Sequence, residues 1–273
     1  MGLFHFKPKE ESILRKIFLH LYAIFELPYV LINWLILRFA YPSRFWRRIF
    51  LPFIYVNVFV MLRWGQHGQV MTVKEVKEFL KSSNHMRIAI GSCRCRLGTS
   101  DNCACPLKTD ITVKTDADVY TQHFSEDYDL LSKEEAIAKI KEFNSEGRLP
   151  IAYSFCLCGG AQHVFVLCNC CIHACVPLLA QKIAKFHIID PGRYVARVDE
   201  EQCVGCGTCL ETCQVRARTL NEGKPHVNPL LCLGCGACAR TCPEGATFMV
   251  ERPEKVFKKQ VGVLRSFMSH SHC

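Results

Sequence analysis

Eight cysteines near the C-terminus repeat one spacing twice. The run CVGCGTCLETC at 203–213 recurs as CLGCGACARTC at 232–242. Each run has the spacing C-x2-C-x2-C-x3-C, and the glycines between the first three cysteines allow a tight loop with backbone N–H groups pointing inward. A polynuclear metal centre needs four thiolates around its compact core. The internal repeat also predicts a unit with pseudo-twofold symmetry.

The two runs resemble those of the bacterial two-[4Fe–4S] ferredoxins, and the resemblance covers about residues 197–250. It implies two [4Fe–4S] clusters, with the fourth cysteine of each run ligating the other run's cluster. The implied ligand sets are Cys203, Cys206, Cys209 and Cys242 for one cluster, and Cys232, Cys235, Cys238 and Cys213 for the other. Pro243 follows Cys242 as in that family, whereas Gln214 stands where the first repeat would have its proline. Structural zinc is the alternative, but a zinc ribbon needs two C-x2-C pairs, not two runs of four cysteines.

The middle of the chain carries ten more cysteines: Cys93, Cys95, Cys103, Cys105, Cys156, Cys158, Cys168, Cys170, Cys171 and Cys175. Several stand as C-x-C, which puts both thiols on one side of an extended strand. Three interpretations remain open: an additional iron–sulfur or other redox metal centre, structural zinc, or free or redox-active thiols. The candidate metal ligands are Cys93, Cys95, Cys156, Cys158, Cys168, Cys170 and Cys175. His173 could add an imidazole, and the adjacent pair Cys170-Cys171 cannot easily serve one metal, so the ten do not form one centre.

A wider resemblance covers about residues 70–250. The segments GSCRCR (91–96), LSKEEA (131–136), CNCC (168–171) and YVARVD (194–199) are similar to those of an uncharacterised bacterial family. Its members pair a cysteine-rich α/β domain with a C-terminal two-cluster ferredoxin. The resemblance implies electron transfer and gives no substrate. That family often continues CNCC with further adjacent cysteines, whereas this chain continues with residues 172–175 (IHAC), so we expect its ligand set to differ.

The N-terminal segment is apolar and basic. Residues 1–70 hold nine Lys/Arg against three Asp/Glu, whereas residues 199–250 hold four against six. Ile17 to Leu37 is about as long as a bilayer span, but it contains Glu26, which is costly inside a membrane. Positive charge beside apolar sequence favours an anionic membrane surface over nucleic acid. We therefore expect one or two interfacial or re-entrant helices within 13–62, with a buried helical hairpin as the alternative.

Helix-capping and strand signals along the chain predict an α+β protein. Capping boxes at Thr72 and Ser132 predict helices to about Lys81 and to Asn144 or Ser145. We predict strands at 86–90, 151–155 and 164–167, a helix at 173–186 that Pro177 delays or kinks, and a linker at 187–198. The expected organisation is a helical segment (1–69), a cysteine-rich α/β domain (70–196), a two-cluster ferredoxin-like domain (197–250) and a basic tail (251–273).

The composition indicates the cellular compartment and the class of function that we expect. The chain has 19 cysteines among 273 residues and shows no secretory signal, so we expect reduced thiols in a cytoplasmic, membrane-associated protein. The hypothesis is an electron relay that serves a redox protein partner through two [4Fe–4S] clusters, with a further metal centre in the middle domain. The alternative is an oxidoreductase whose middle-domain cysteine site reduces a substrate. The acidic balance of 199–250 speaks against nucleic acid as a partner.

Overall fold

The computed structural model describes most of the chain between residues 13 and 252. The described residues are 13–40, 42–50, 52–53, 66–82, 85–99, 105–155, 164–184, 189–221 and 223–252. The candidate ligands Cys156 and Cys158 lie outside them.

Helices and strands alternate through the first two thirds of the chain. The helices are α1 (Ile13–Leu35), α2 (Val73–Lys81), α3 (Arg94–Leu97), α4 (Thr115–His123), α5 (Lys133–Ser145), α6 (Val176–Ala184), α7 (Thr208–Glu211) and α8 (Ala237–Arg240). A π-helical turn, Ile36–Ala40, continues α1. The strands are β1 (Gln66–Val70), β2 (Ile88–Ser92), β3 (Lys108–Val113), β4 (Asp129–Leu130), β5 (Leu149–Phe155), β6 (Val164–Cys170), β7 (Ile189–Asp190), β8 (Tyr194–Val198), β9 (Arg218–Asn221), β10 (Lys224–Val227) and β11 (Thr247–Glu251). The predicted α+β class is confirmed.

Seven strands form one sheet in the order β4-β2-β3-β6-β5-β1-β7. Its pairs are antiparallel except for β1 with β7. Because side chains alternate along a strand, each face of the sheet carries its own core. Helices α2 and α5 cover one face, where Ile111 and Leu167 are buried. Helices α1, α4 and α6 lie over the other face, where Tyr153 and Cys170 are buried. The sheet is therefore the middle layer of three.

The two helices that follow capping boxes have the predicted bounds. Thr72 accepts from the backbone N–H of Glu75 while the Glu75 carboxylate accepts from the Thr72 backbone, and Ser132 and Glu135 repeat the arrangement. These local contacts satisfy backbone donors that the helix itself cannot pair. Contacts within four residues of sequence are therefore sufficient to mark where both helices begin.

Other predicted elements are shifted or different. The helix expected from residue 173 begins at Val176, so Pro177 sits in its first turn, where a missing N–H costs little. The linker predicted at 187–198 contains strands β7 and β8, and β8 pairs with β11 along its whole length. Only this pairing with a partner about 50 residues away makes 194–198 a strand, because its sequence alone shows no strong period.

The C-terminal domain is built from two similar halves. The antiparallel pair β8–β11 and the hairpin β9–β10 accompany the short helices α7 and α8, which follow the two cysteine loops. The hydroxyls of Thr212 and Thr241, which are 29 residues apart, lie 3.1 Å from each other. This contact between repeat-related residues is what a pseudo-twofold axis produces. Gly205, Gly207, Gly234 and Gly236 all have positive φ values, between 73° and 80°.

Helix α1 lies against the middle domain along one side only. Its buried stripe is Leu19, Ala23, Glu26, Val30 and Trp34, a spacing that keeps one face of the helix inward. The opposite face leaves large apolar side chains exposed, among them Phe25 at 62%. The segment Lys16–Phe39 is long and apolar enough to cross a membrane, and 28% of it is buried against the rest of the protein.

Candidate metal centres

Five cysteines of the middle domain gather on the sheet face that α1, α4 and α6 cover. Cys168 and Cys170 are two residues apart on β6, so both thiols face the same side. Cys93 and Cys95 flank the start of α3, directly after β2, and Cys175 precedes α6. The five line one cavity of about 120 Å³. The C-x-C prediction therefore holds for Cys168 and Cys170, and tertiary packing adds the other three.

The five thiols form a continuous series of contacts. Cys93 interacts with Cys95, Cys95 with Cys175, Cys175 with Cys170, and Cys170 with Cys168. In Cys93, Cys95, Cys170 and Cys175 the neighbouring thiol, followed by burial, raises the pKa well above its ordinary value. These four thiols are therefore close enough to one another to shift each other's pKa.

Charged side chains border the same cavity. Burial raises the pKa of Asp110 to about 6, and Asp110 interacts with Cys168 and accepts from the backbone N–H of Arg94. Burial also raises the pKa of Glu26 to about 7, and Tyr120 donates to its carboxylate at 2.7 Å. The Arg94 guanidinium lies 3.7 Å from Glu26. One cation and two buried carboxyl groups thus line the same cavity as the five thiols.

Several polar atoms that border the cavity have no hydrogen-bond partner among the described residues. They include Nη2 of Arg94, Oδ1 of Asp110 and the hydroxyl of Tyr128. All three residues are less than 7% exposed. Unpaired buried polar groups are rare in folded proteins and indicate an unseen partner. The cavity therefore has the properties of a site that holds a bound group.

The C-terminal cysteines gather in two sets. Cys203, Cys206, Cys209 and Cys242 line one small cavity, which joins the first run to the last cysteine of the second. In the other set, burial raises the pKa of Cys235 to about 12, and Cys238, Cys232 and Cys213 contribute to the rise through their charges. Each set therefore combines three cysteines of one run with the fourth of the other. This arrangement fits two groups of four thiolates, each of which takes its fourth cysteine from the other run.

Arg218 lies between the two sets. Its side chain is 5% exposed, its Nη2 donates to the Cys238 sulfur at 3.2 Å, and it also interacts with Cys209. A second donor, the backbone N–H of Ala217, points at the Cys213 sulfur from 3.3 Å. Donors of this kind stabilise charge on thiolate ligands. Arg218 was not predicted, because it is separated from the cysteines it contacts by sequence that carries no motif.

The glycines of the cysteine loops allow close backbone approach. A Cβ at Gly234 would overlap the Tyr194 carbonyl oxygen, and a Cβ at Gly205 would lie 2.8 Å from the Gly223 carbonyl oxygen. Both residues also have positive φ, which side-chain-bearing residues rarely adopt. Gly205 and Gly234 are thus required by conformation and by space, whereas a Cβ at Gly207 would meet nothing within 4 Å.

The C-terminal domain docks on the middle domain through the Cys235 side of its repeat. Asn144 donates to the Cys235 carbonyl at 3.2 Å and accepts from Arg240, and Val215 packs with Cys235 against the core that contains Cys170 and Cys175. By contrast, Cys206 of the other set is exposed. The set that contains Cys235 therefore lies on the side of the middle domain, and the other set includes one exposed cysteine.

Residues 202–246 match the family model of a 4Fe-4S dicluster domain. The match covers both cysteine runs and Arg218. The match supports an iron–sulfur role in electron transfer, with at least one 4Fe-4S cluster. No curated protein shows significant similarity to the chain.

Proposed function

We propose that the chain transfers electrons between a protein partner and a metal centre in its own middle domain, through two [4Fe–4S] clusters. Cys203, Cys206, Cys209 and Cys242 would hold one cluster, and Cys232, Cys235, Cys238 and Cys213 the other. Bound clusters of this type take up and release single electrons. The observation that carries the proposal is that Cys235 packs against the same core as Cys170 and Cys175.

The middle-domain centre is proposed on Cys93, Cys95, Cys168, Cys170 and Cys175. With a Zn–S bond of about 2.3 Å, two thiolates on one zinc lie about 3.8 Å apart. Among the described residues, no three of these five sulfurs lie within 4.8 Å of one another, and the same holds for the eight dicluster cysteines. Their more open spacing favours a polynuclear centre over a single zinc ion.

Iron analysis of the anaerobically purified full chain tests the proposal. Two cubane clusters give about eight irons per chain, and a third cubane about twelve. Cys175→Ser should remove the additional iron and its electron paramagnetic resonance signal while leaving the dicluster signals. Cys273→Ser, in the tail, is the matched control and should change neither. A wild-type chain with about eight irons and an unaltered Cys175→Ser variant would overturn the middle-domain centre, and an iron-free chain would overturn the whole proposal.

A second candidate function, reduction of a substrate in the cavity, is favoured by the unpaired polar atoms of Arg94 and Tyr128. They could orient a small ligand beside the thiols and supply a charge and a proton donor. Carbon monoxide added to the reduced protein tests for an open metal position. A changed resonance signal from the centre that Cys175→Ser removes supports the enzyme, and an unchanged signal supports a pure relay.

The exposed face of α1 supports attachment to a membrane surface, with the helix lying in its plane. The opposite face, with Glu26, is packed on the middle domain, so lipid cannot surround the helix. Exposed Phe45 and Trp46 follow beside Arg47 and Arg48, a combination of apolar and basic groups that suits an anionic lipid surface.

Sedimentation with anionic phospholipid vesicles tests the attachment. Phe25→Asp should reduce the bound fraction, because it puts a charge on the exposed apolar face of α1. Leu220→Asp is the matched control, since Leu220 is 49% exposed but lies in the dicluster domain. Equal vesicle binding by both variants and the wild-type chain would overturn membrane attachment through α1.

A further inference from the structure

Three side chains beside the thiol cavity form a compact triad. The ligand atoms of Cys105, Cys171 and His173 all lie within 4.8 Å of one another. Among the described residues, this is the one group of three His, Cys, Asp or Glu side chains with that spacing. Cys171 is buried, Cys105 is half-buried and His173 is exposed, so the triad reaches from the protein interior to the surface.

Strand pairing brings the triad together. β3 and β6 are antiparallel with Asp110 opposite Cys168, so the segment that enters β3 lies beside the segment that leaves β6. Cys105 is in the first segment, and Cys171 and His173 are in the second. Residues almost 70 positions apart thus become neighbours through backbone hydrogen bonds alone. The sequence offers no regular metal-binding spacing that would reveal them.

Cys105 and Cys171 border the same cavity as the five thiols, but they pack in a different side-chain cluster. Cys170 interacts with Cys168 and Cys175, whereas the adjacent Cys171 packs with Ala174 and Cys105 in a small cluster of its own. The two adjacent cysteines therefore have different thiol neighbours, although both border the cavity.

Two thiolates and one imidazole are ligands that select zinc among the common biological cations. The triad spacing accommodates the separation of about 3.8 Å that two thiolates on one zinc adopt. Arg148, which is 5% exposed, interacts with the Cys105 thiol, so a positive charge lies next to the triad. The three side chains leave one tetrahedral position for water or another ligand.

We propose that Cys105, Cys171 and His173 bind one zinc ion, distinct from the iron–sulfur centres. The zinc links the start of β3 to the loop that follows β6. Ile172, between two of the ligands, donates its backbone N–H to Gln214 of the dicluster domain. A bound zinc therefore fixes the loop on which that domain docks. This assignment does not depend on the nature of the five-thiol centre.

Zinc and iron counted together in the anaerobically purified full chain test the assignment. We expect about one zinc per chain in the wild type. The zinc affinity of His173→Gln and of Cys171→Ser should be weaker by about tenfold or more, and the iron content of both should be unchanged. His173 is exposed, so its substitution leaves the core intact. His226→Gln, an exposed histidine in the dicluster domain, is the matched control and should retain zinc. Removal of His270 and His272 together should also leave zinc in place, which excludes binding by the tail.

X-ray absorption at the zinc edge gives an independent readout. The wild-type spectrum should require two sulfur ligands at about 2.3 Å and one imidazole, which His173→Gln should remove. Absence of zinc after equilibration with excess zinc sulfate, or unchanged zinc in both variants, would overturn the assignment. Loss of iron instead of zinc in Cys171→Ser would assign these residues to an iron centre and equally overturn it.

Discussion

The side-chain oxygen of Gln214 accepts a hydrogen bond from the backbone N–H of Ile172 at 2.9 Å. Gln214 occupies the position after Cys213 where the ferredoxin resemblance leads one to expect proline. Proline would preserve the turn but could not accept this bond. The departure from the ferredoxin pattern is thus a contact between the dicluster domain and the cysteine-rich loop of the middle domain.

Replacement of Gln214 by proline should loosen this contact while leaving the clusters intact. A lost hydrogen bond to a half-buried backbone N–H costs about 1 kcal/mol of unfolding free energy. Denaturant unfolding monitored by fluorescence measures the cost, and iron content should be unchanged. Gln202→Ala, an exposed glutamine in the same domain, is the control and should have no effect. Equal stability of both variants would show that the contact does not stabilise the docked state.

Arg218→Gln should make the dicluster centres harder to reduce. Arg218 places a buried positive charge and a hydrogen bond on ligand sulfurs, and both favour the additional negative charge of the reduced state. We expect a potential lower by about 60 mV, a tenfold change in a one-electron equilibrium. A redox titration followed by electron paramagnetic resonance measures it. Arg216→Gln, with an exposed side chain two residues away, is the control, and a higher potential in Arg218→Gln would contradict the electrostatic role.

The variants Gly234→Ala and Gly223→Ala distinguish the cost of a left-handed backbone from the cost of steric overlap. Both glycines have a φ of 79°, but a Cβ meets the Tyr194 carbonyl only at Gly234, and nothing lies within 4 Å at Gly223. Gly223→Ala should lower the unfolding free energy by about 1 kcal/mol, the cost of left-handed backbone. Gly234→Ala should cost at least about 3 kcal/mol, because overlap adds to that strain. Equal costs in denaturant unfolding would show that the backbone yields at Gly234.

Glu26 should make stability depend on pH. Its folded pKa of about 7 lies above the ordinary value of 4.5, because burial outweighs the opposing effects of Tyr120, Arg94 and Tyr22, and Asp110 adds to the rise. The stability it contributes is complete below pH 4.5 and is lost as pH rises through 7, on the order of 3 kcal/mol.

Glu26→Gln removes that titration. Compared with the wild type, the variant should lose less unfolding free energy between pH 5 and pH 8. Asp110 titrates in an overlapping range and interacts with Glu26, so the difference between the two profiles reports Glu26 together with its coupling to Asp110. Parallel pH profiles for the two proteins would show that Glu26 keeps one charge state throughout.

Local sequence was sufficient for some of the fold and for the cysteine sets of the dicluster domain. Thr72 and Ser132 begin their helices through contacts three residues away, and cysteines within one run lie on one loop. The pairing of Cys213 and Cys242 with the opposite runs followed from the resemblance and stays a prediction, with which the shared cavity of Cys242 and the first run agrees. By contrast, the strand at 194–198 depends on β11, and the linker prediction failed for that reason.

The sequence by itself determined that thiolates would meet in two repeated loops, because spacing within a run of 11 residues is a local property of the chain. Only the tertiary structure decided which distant side chains join them: Arg218 between the two sets, Asp110 and Glu26 beside the five thiols, and Cys105 beside Cys171 and His173. The physical reason is that these contacts are made across a sheet and between packed layers, where sequence separation carries no information about distance.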